Sequence, residues 1–229
     1  TAEGEIRVVK SVGLQYEVIS SDDINWQISQ FSDVSDAIAW IEQDGDQTLY
    51  VITFPTADKT YCCDLMYPKE VAWFEKKSWG IGRWRAAGYG AIGTKRIIGD
   101  YNNSNFYTLD FDTFDENGEI LERVRRAQII HSDKLELTIH EFLLDLQVGV
   151  GLTTGQGSDP QIMLRYSHDG GKTWSSELWE QLGKIGQRNV EVYWSKLGAE
   201  RDWIFEVTVT DPVEFNIIAA YGDIEVASW

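Results

Sequence analysis

The sequence is poor in the residues that usually carry chemistry. It has two cysteines, two methionines, three histidines and four prolines among 229 residues. The cysteines, Cys62 and Cys63, are adjacent. Neighbouring cysteines rarely bridge each other, and no third exists to pair with either, which excludes a disulfide scaffold. They point to a reduced, cytosolic history rather than secretion. His131, His140 and His168 share no metal-ligand spacing with one another or with the cysteine pair. No metal and no cofactor is therefore expected. Basic residues are also scarce, 20 against 37 acidic, for a net charge of −17. That balance argues against a grip on nucleic acid, which needs an excess of Lys and Arg to meet phosphates. No apolar run approaches the ~20 residues of a membrane helix. The opening stretch, Thr1 to Lys10, reads as neither a signal peptide nor a domain start, as if cut from something longer.

What the chain does hold is aromatic. Ten Trp, ten Tyr and nine Phe make up 13% of it, residue types that suit half-buried pleated surfaces and protein interfaces. The hydrophobic pattern has period two and is broken by frequent turn signals, so the class expected is all-β. Ala37 to Gln43 and Thr48 to Phe54 flank Asp44-Gly45, a type I′ hairpin signal. Lys59 to Asp64 and Val71 to Trp79 complete four strands, the size of one propeller blade. A second four-strand unit is expected at Arg85 to Ala91, Arg96 to Asp100, Phe106 to Asp112 and Ile120 to Ile130, with Asn117-Gly118 at its last turn. From Lys134 the rhythm changes to longer alternating strands around a Gly/Ser/Thr loop, Gly149 to Pro160, as in a β-sandwich. The organisation expected is thus an incomplete set of propeller-type blades over 1–133 and a β-sandwich-like domain over 134–229. One short helix is expected at Asp22 to Gln30, capped by Ser21 or Asp22.

One motif is specific. Ser167, Asp169, Gly171, Thr173 and Trp174 fit S-x-D-x-G-x-T-W, the Asp box of sialidase hairpins. Its chemistry is structural: Ser and Asp bond turn amides, Gly supplies positive φ and Trp packs beneath. Other patterns fall to plain readings. Gly88 to Gly93 fits G-x-G-x-x-G but has β-like sequence on both sides, where a dinucleotide loop needs a following helix. Asp110, Asp112, Asp115, Glu116 and Glu119 fail EF-hand spacing because Phe114 takes the third ligand position, leaving a solvated acidic turn. Ser167-His168-Asp169 is contiguous, whereas a catalytic triad is assembled in space. No catalytic residue is singled out, and no enzyme is expected.

Several stretches together resemble one family. They are VSDAIA from Val34, LYVITFPTA from Leu49, RVRR from Arg123, VGVGL from Val148, GQGSDPQ from Gly155, the Asp-box hairpin, LGKIG from Leu182 and DPV from Asp211. In this order they resemble the carboxy-terminal portion of the packaged-DNA stabilisation, or tail-hub (nozzle), proteins of short-tailed bacteriophages and prophages. The resemblance spans about residues 30 to 220. It implies a virion structural protein, assembled in the host cytoplasm into the phage tail. That protein forms a homo-oligomeric ring below the portal and its adaptor, closes the exit channel over packaged DNA, and receives the tail needle or fibres. It also implies a propeller body, and surplus acid would keep DNA from sticking in transit. Family members are considerably longer, so further blades are expected to precede this stretch. Sheets built around Trp40, Tyr50, Trp73 and Trp84 are then expected to pair with that preceding sequence in the intact protein, and in this stretch alone to be covered by another copy or by the sandwich. The alternative reading is a carbohydrate-binding or sialidase-like module. A glycan module should show a cleft lined by several exposed Trp or Tyr with polar groups, and a hub should show apolar patches on flat flanks.

Overall fold

The computed structural model describes residues 6–66 and 73–227. The chain divides into two compact units, Thr1–Asp110 and Phe111–Trp229.

The first unit opens with a hairpin of β1 (Val9–Val12) and β2 (Gln15–Val18), followed by helix α1 (Asp22–Ser29). Ser21 caps the helix by accepting from the Ile24 N–H, and Asp22 and Asp23 sit in the first turn, where the helix dipole favours acid. Strands β3 (Ile38–Asp44), β4 (Gln47–Phe54), β5 (Lys59–Asp64) and β6 (Trp73–Glu75) form an antiparallel sheet in chain order. Positions 71 and 72 of the expected fourth strand lie outside the described residues. The β3–β4 loop is Gly45-Asp46, with Gly45 at φ 61° in the first loop position. That is the glycine of a type II′ turn, one residue along from the expected Asp-Gly type I′ pair.

The run Leu49–Phe54 is buried on both sides because the sheet has a partner on each face. Leu49 and Val51, with Cys62 of β5, pack against Trp84, Ala86 and Ile98. Ile52, Phe54 and Tyr61 pack against Ile24 and Ile28 of α1. Ala86 and Ile98 come from a second sheet of β7 (Ala86–Ile92), β8 (Lys95–Asp100) and β9 (Phe106–Leu109). Trp40 and Trp84 therefore lie between the two sheets, and Tyr50 and Trp73 pack on the helix side. All four pack against residues of their own unit. The Trp73 indole also donates to the Ile19 carbonyl at 2.9 Å.

The second sheet has three strands where four were expected. Residues 123–126 and 130–131 belong instead to the second unit, where β10 (Arg123–Arg126) and β11 (Ile130–His131) pair with a later strand. Polar anchors draw β10 there: the Arg123 guanidinium donates to the Asp211 and Val213 carbonyls, and Arg126 pairs with Glu206. The division of the chain accordingly falls near residue 110 rather than 133. Neither sheet of the first unit closes, and no propeller forms among the described residues.

The second unit is a β-sandwich. Its remaining strands are β12 (Leu137–Leu146), β13 (Gln161–Ser167), β14 (Leu178–Gln181), β15 (Val192–Glu200), β16 (Asp202–Val209) and β17 (Ile217–Val226). One sheet runs β10-β16-β13-β14, with β11 also on β16, and the other runs β15-β12-β17. All pairings are antiparallel. The inner faces meet in a core of Leu137, Ile139, Phe142, Leu144, Ile162, Leu164, Trp203, Phe205 and Val207, among others. On β12 the inward positions are odd up to Ile139 and even from Phe142. A register shift between Ile139 and Glu141 produces that switch, since one extra residue reverses which face the chain presents. The loop over 149–160 is anchored at three buried positions, Gly151, Gly157 and Pro160, and the Leu152 N–H donates to the Gly157 carbonyl at 2.7 Å.

Candidate functional site

The five motif residues come together at the turn after β13. The Ser167 hydroxyl donates to Asp169 Oδ1 at 2.8 Å and accepts from the Gly171 N–H at 2.9 Å. Asp169 Oδ1 also accepts from the backbone N–H groups of Lys172 and Thr173, each at 2.9 Å, and Oδ2 from the Thr173 hydroxyl at 2.7 Å. The Thr173 N–H and hydroxyl, then the Ser167 hydroxyl, hold the Asp169 carboxyl well below the usual carboxylate range, because each donor favours the charged form. Gly170 and Gly171 take φ of 78° and 87°, values that a side chain would resist. His168 points away from both neighbours. Its Nδ1 lies 3.1 Å from the Asp202 carbonyl, and its ring meets the edge of Trp203 at 4.4 Å. Ser167, His168 and Asp169 therefore do not form a nucleophile–base–acid relay.

Trp174 closes the turn by donating from Nε1 to the Gly171 carbonyl at 3.1 Å. Its ring then meets two guanidinium groups, Arg126 at 4.8 Å and Arg165 at 4.9 Å. Both arginines share one acid. Arg126 reaches Glu206 Oε2 through Nε at 2.9 Å and Nη2 at 2.6 Å, and Arg165 reaches Oε1 through Nε at 2.5 Å and through Nη2. Glu206 is 1% exposed, while Arg126 and Arg165 are 55% and 39% exposed. The strand register explains the meeting: Glu206 of β16 stands opposite Arg126 of β10 on one side and Arg165 of β13 on the other. Sequence reasoning missed this cluster. Arg126 lies in the RVRR stretch, but only the pairing of three strands far apart in sequence reveals its partner.

The other sequence candidates separate. Gly88 to Gly93 lies in β7 and the turn into β8, so a strand follows where a phosphate loop needs a helix. Instead Gly88, Gly90 and Gly99 flatten one face of that sheet into an open trough of about 670 Å³, with Ile92, Ile97 and Phe106 around it. In the acidic turn, Asn117 and Gly118 take φ of 58° and 82°, the type I′ pair, and Asp115 accepts from the Gly118 N–H at 2.8 Å. Among the described residues no three His, Cys, Asp or Glu side chains stand close enough to share a metal ion. Cys62 and Cys63 are buried free thiols, pushed up to about 12 and about 11 by desolvation. No helix among the described residues is long and apolar enough to cross a membrane.

Compared with known families, residues 122–225 match the model described as Bacteriophage P22 Gp10, beta-sandwich. No curated protein matches the chain.

Proposed function

From the match of residues 122–225 to the Bacteriophage P22 Gp10 beta-sandwich model, we propose that this chain is part of a phage virion structural protein, a hub component of a short tail. In this reading the protein works through protein–protein interfaces and not by catalysis. It assembles into a ring beneath the portal adaptor, helps to retain packaged DNA, and presents a surface to the tail needle or fibres.

The observation that carries the proposal is the coincidence of the matched residues, 122–225, with the sandwich formed by β10 to β17. The first unit supports it. The outer face of the β7-β8-β9 sheet is flat and apolar, with Ile92 73% and Phe106 77% exposed. Patches of that kind mark contact surfaces, and a stacked sheet continuing from it would extend the blade-like order β3 to β9. The net charge of −17 fits a wall along which DNA passes without being held. The two Arg-bonded oxygens of Glu206, the turn-bonded carboxylate of Asp169 and the outward turn of His168 leave the motif hairpin without a free acid–base pair.

The test is light scattering on the phage-encoded protein, alone and mixed with its portal adaptor. Closed rings of fixed stoichiometry are expected with the adaptor. A protein that stays monomeric and ignores the adaptor overturns the hub reading. Turnover of a glycoside or nucleotide that is lost on changing one specific acid overturns its non-catalytic part.

A further inference from the structure

The outer face of the β10-β16-β13-β14 sheet carries an arrangement that the hub reading does not use. Ile162, Leu164 and Leu178 point into the sandwich core, so alternation sends Gln161, Met163, Arg165, Trp179 and Gln181 to the opposite face. The register places them side by side: Trp179 is opposite Met163, Gln181 is opposite Gln161, and Thr208 of β16 is opposite Met163 on its other side. Arg165 is then the diagonal neighbour of Trp179, about 7–8 Å away along the sheet and within reach of long side chains. Trp179 is 51% exposed. Beside it stands the row Arg165–Glu206–Arg126.

That row is a preset anion receptor. Glu206 engages the Nε and Nη2 edge of each guanidinium, and Trp174 meets the face of each. The Nη1 groups make no hydrogen bond among the described residues, and both side chains are well exposed. Two guanidinium forks share one carboxylate here, on a chain that is strongly acidic overall. Fixed guanidinium forks match a carboxylate and lose little freedom in binding it. The neighbouring groups decide what carries that carboxylate. An exposed indole offers a flat apolar platform, and the side-chain amides of Gln161 and Gln181 make no hydrogen bond among the described residues. A planar aromatic with amides on one side and guanidinium on the other suits a pyranose ring. The ring's C–H face lies on the indole, its hydroxyls meet the amides, and its acid group meets the arginines.

We propose that this face binds an acidic saccharide of the uronate type, with Trp179 as platform and Arg165 and Arg126 as carboxylate receptors. The proposal does not depend on ring assembly and can fail or stand separately from it.

The experiment titrates the protein with polygalacturonate oligomers, with neutral galactan oligomers of equal length and with poly-L-glutamate, by calorimetry and by NMR of the indole N–H signals. Polygalacturonate is expected to bind at least about tenfold more tightly than either control, the discrimination that one good charge-assisted pair supplies. Binding should weaken as salt is raised and shift the Trp179 indole signal. Trp179→Ala should abolish binding and Arg126→Gln should weaken it about tenfold, both with the protein still folded and melting cooperatively. Gln181→Ala, at an exposed edge position, should weaken binding without touching the charged row. Equal binding of poly-L-glutamate would make this an acidic-protein surface and overturn the proposal. So would absence of uronate binding, or a Trp179→Ala variant that binds normally.

Discussion

Replacing Glu206 by Gln keeps its shape and removes its charge, which isolates what the buried acid does for the sandwich. Glu206 is 1% exposed and meets both guanidiniums through its two oxygens. Breaking a fully buried ion pair costs about 3–5 kcal/mol, because the orphaned partner stays buried without compensation. Here the orphans would be Arg126 and Arg165, at 55% and 39% exposure, and water would recover part of their loss. The cost should fall to about 2–3 kcal/mol, the worth of one strong charge-assisted contact. For a domain of this size that lowers the melting temperature by roughly 6–15 °C. Calorimetric melting of wild type, Glu206→Gln, Arg126→Gln and the double variant is the assay. Arg126→Gln alone should cost less than about 1 kcal/mol, since it is exposed and Arg165 still serves the acid. In the Glu206→Gln background, Arg126→Gln should cost nothing, or stabilise, because two unpaired guanidiniums repel. An unchanged melting temperature in Glu206→Gln, or strictly additive effects in the cycle, would refute the reasoning.

Three further outcomes follow from the same structure. The Asp169 carboxyl is held below its ordinary range by the Thr173 N–H, the Thr173 hydroxyl and Ser167; its contribution is therefore complete above the unfolded carboxylate range and lost as pH falls through the lowered folded value. The stability gap between wild type and Asp169→Asn should thus hold steady from neutral pH to about pH 5 and close only in strong acid, as read from denaturant curves; a gap that closes by pH 5 contradicts it. Cys62 and Cys63, with thiols pushed up to about 12 and about 11 by burial, should resist iodoacetamide at pH 8 and react together in denaturant, which mass spectrometry distinguishes from rapid labelling of the native protein. Trp203, fully buried with its indole N–H 3.2 Å from the Leu137 carbonyl, should cost about 3–5 kcal/mol as Trp203→Ala, and a loss under about 1 kcal/mol would mean the core is loosely packed there.

The parts that were legible in the sequence are those governed by local rules. Alternating residues marked β3 to β5 and β8 within a residue or two, and of the two expected caps, Ser21 and Asp22, Ser21 starts α1. The Ser167–Trp174 turn could be read because its bonds all lie within eight positions. The parts that were not legible depend on pairing across long separations. Nothing local tells Arg123–Arg126 to join β16 rather than the sheet ending at Leu109. The short strand Leu178–Gln181 was missed because its run of alternation is only four residues. Trp179 is one tryptophan among ten, and Arg165 and Gln161 come near it only through the β13–β14 register. The Gly88–Gly93 stretch lacks the following helix of a nucleotide loop, and its effect in flattening a sheet face appears only when Gly99 pairs beside Gly88.

The central strand β12 takes both of its partners from later in the chain, β15 and then β17. During synthesis the first unit, whose sheets pair neighbours in sequence, can form while β12 still lacks either edge. The sandwich must wait for Ile217–Val226, about eighty residues after β12, and such distant pairing closes slowly. A nascent chain therefore passes through a period in which a ten-residue strand, apolar on its inner face, is made but unpaired. That interval is when it is most open to pairing with a neighbouring chain, so the yield of folded protein should depend more on the speed at which residues 192–226 are made than on any part before them.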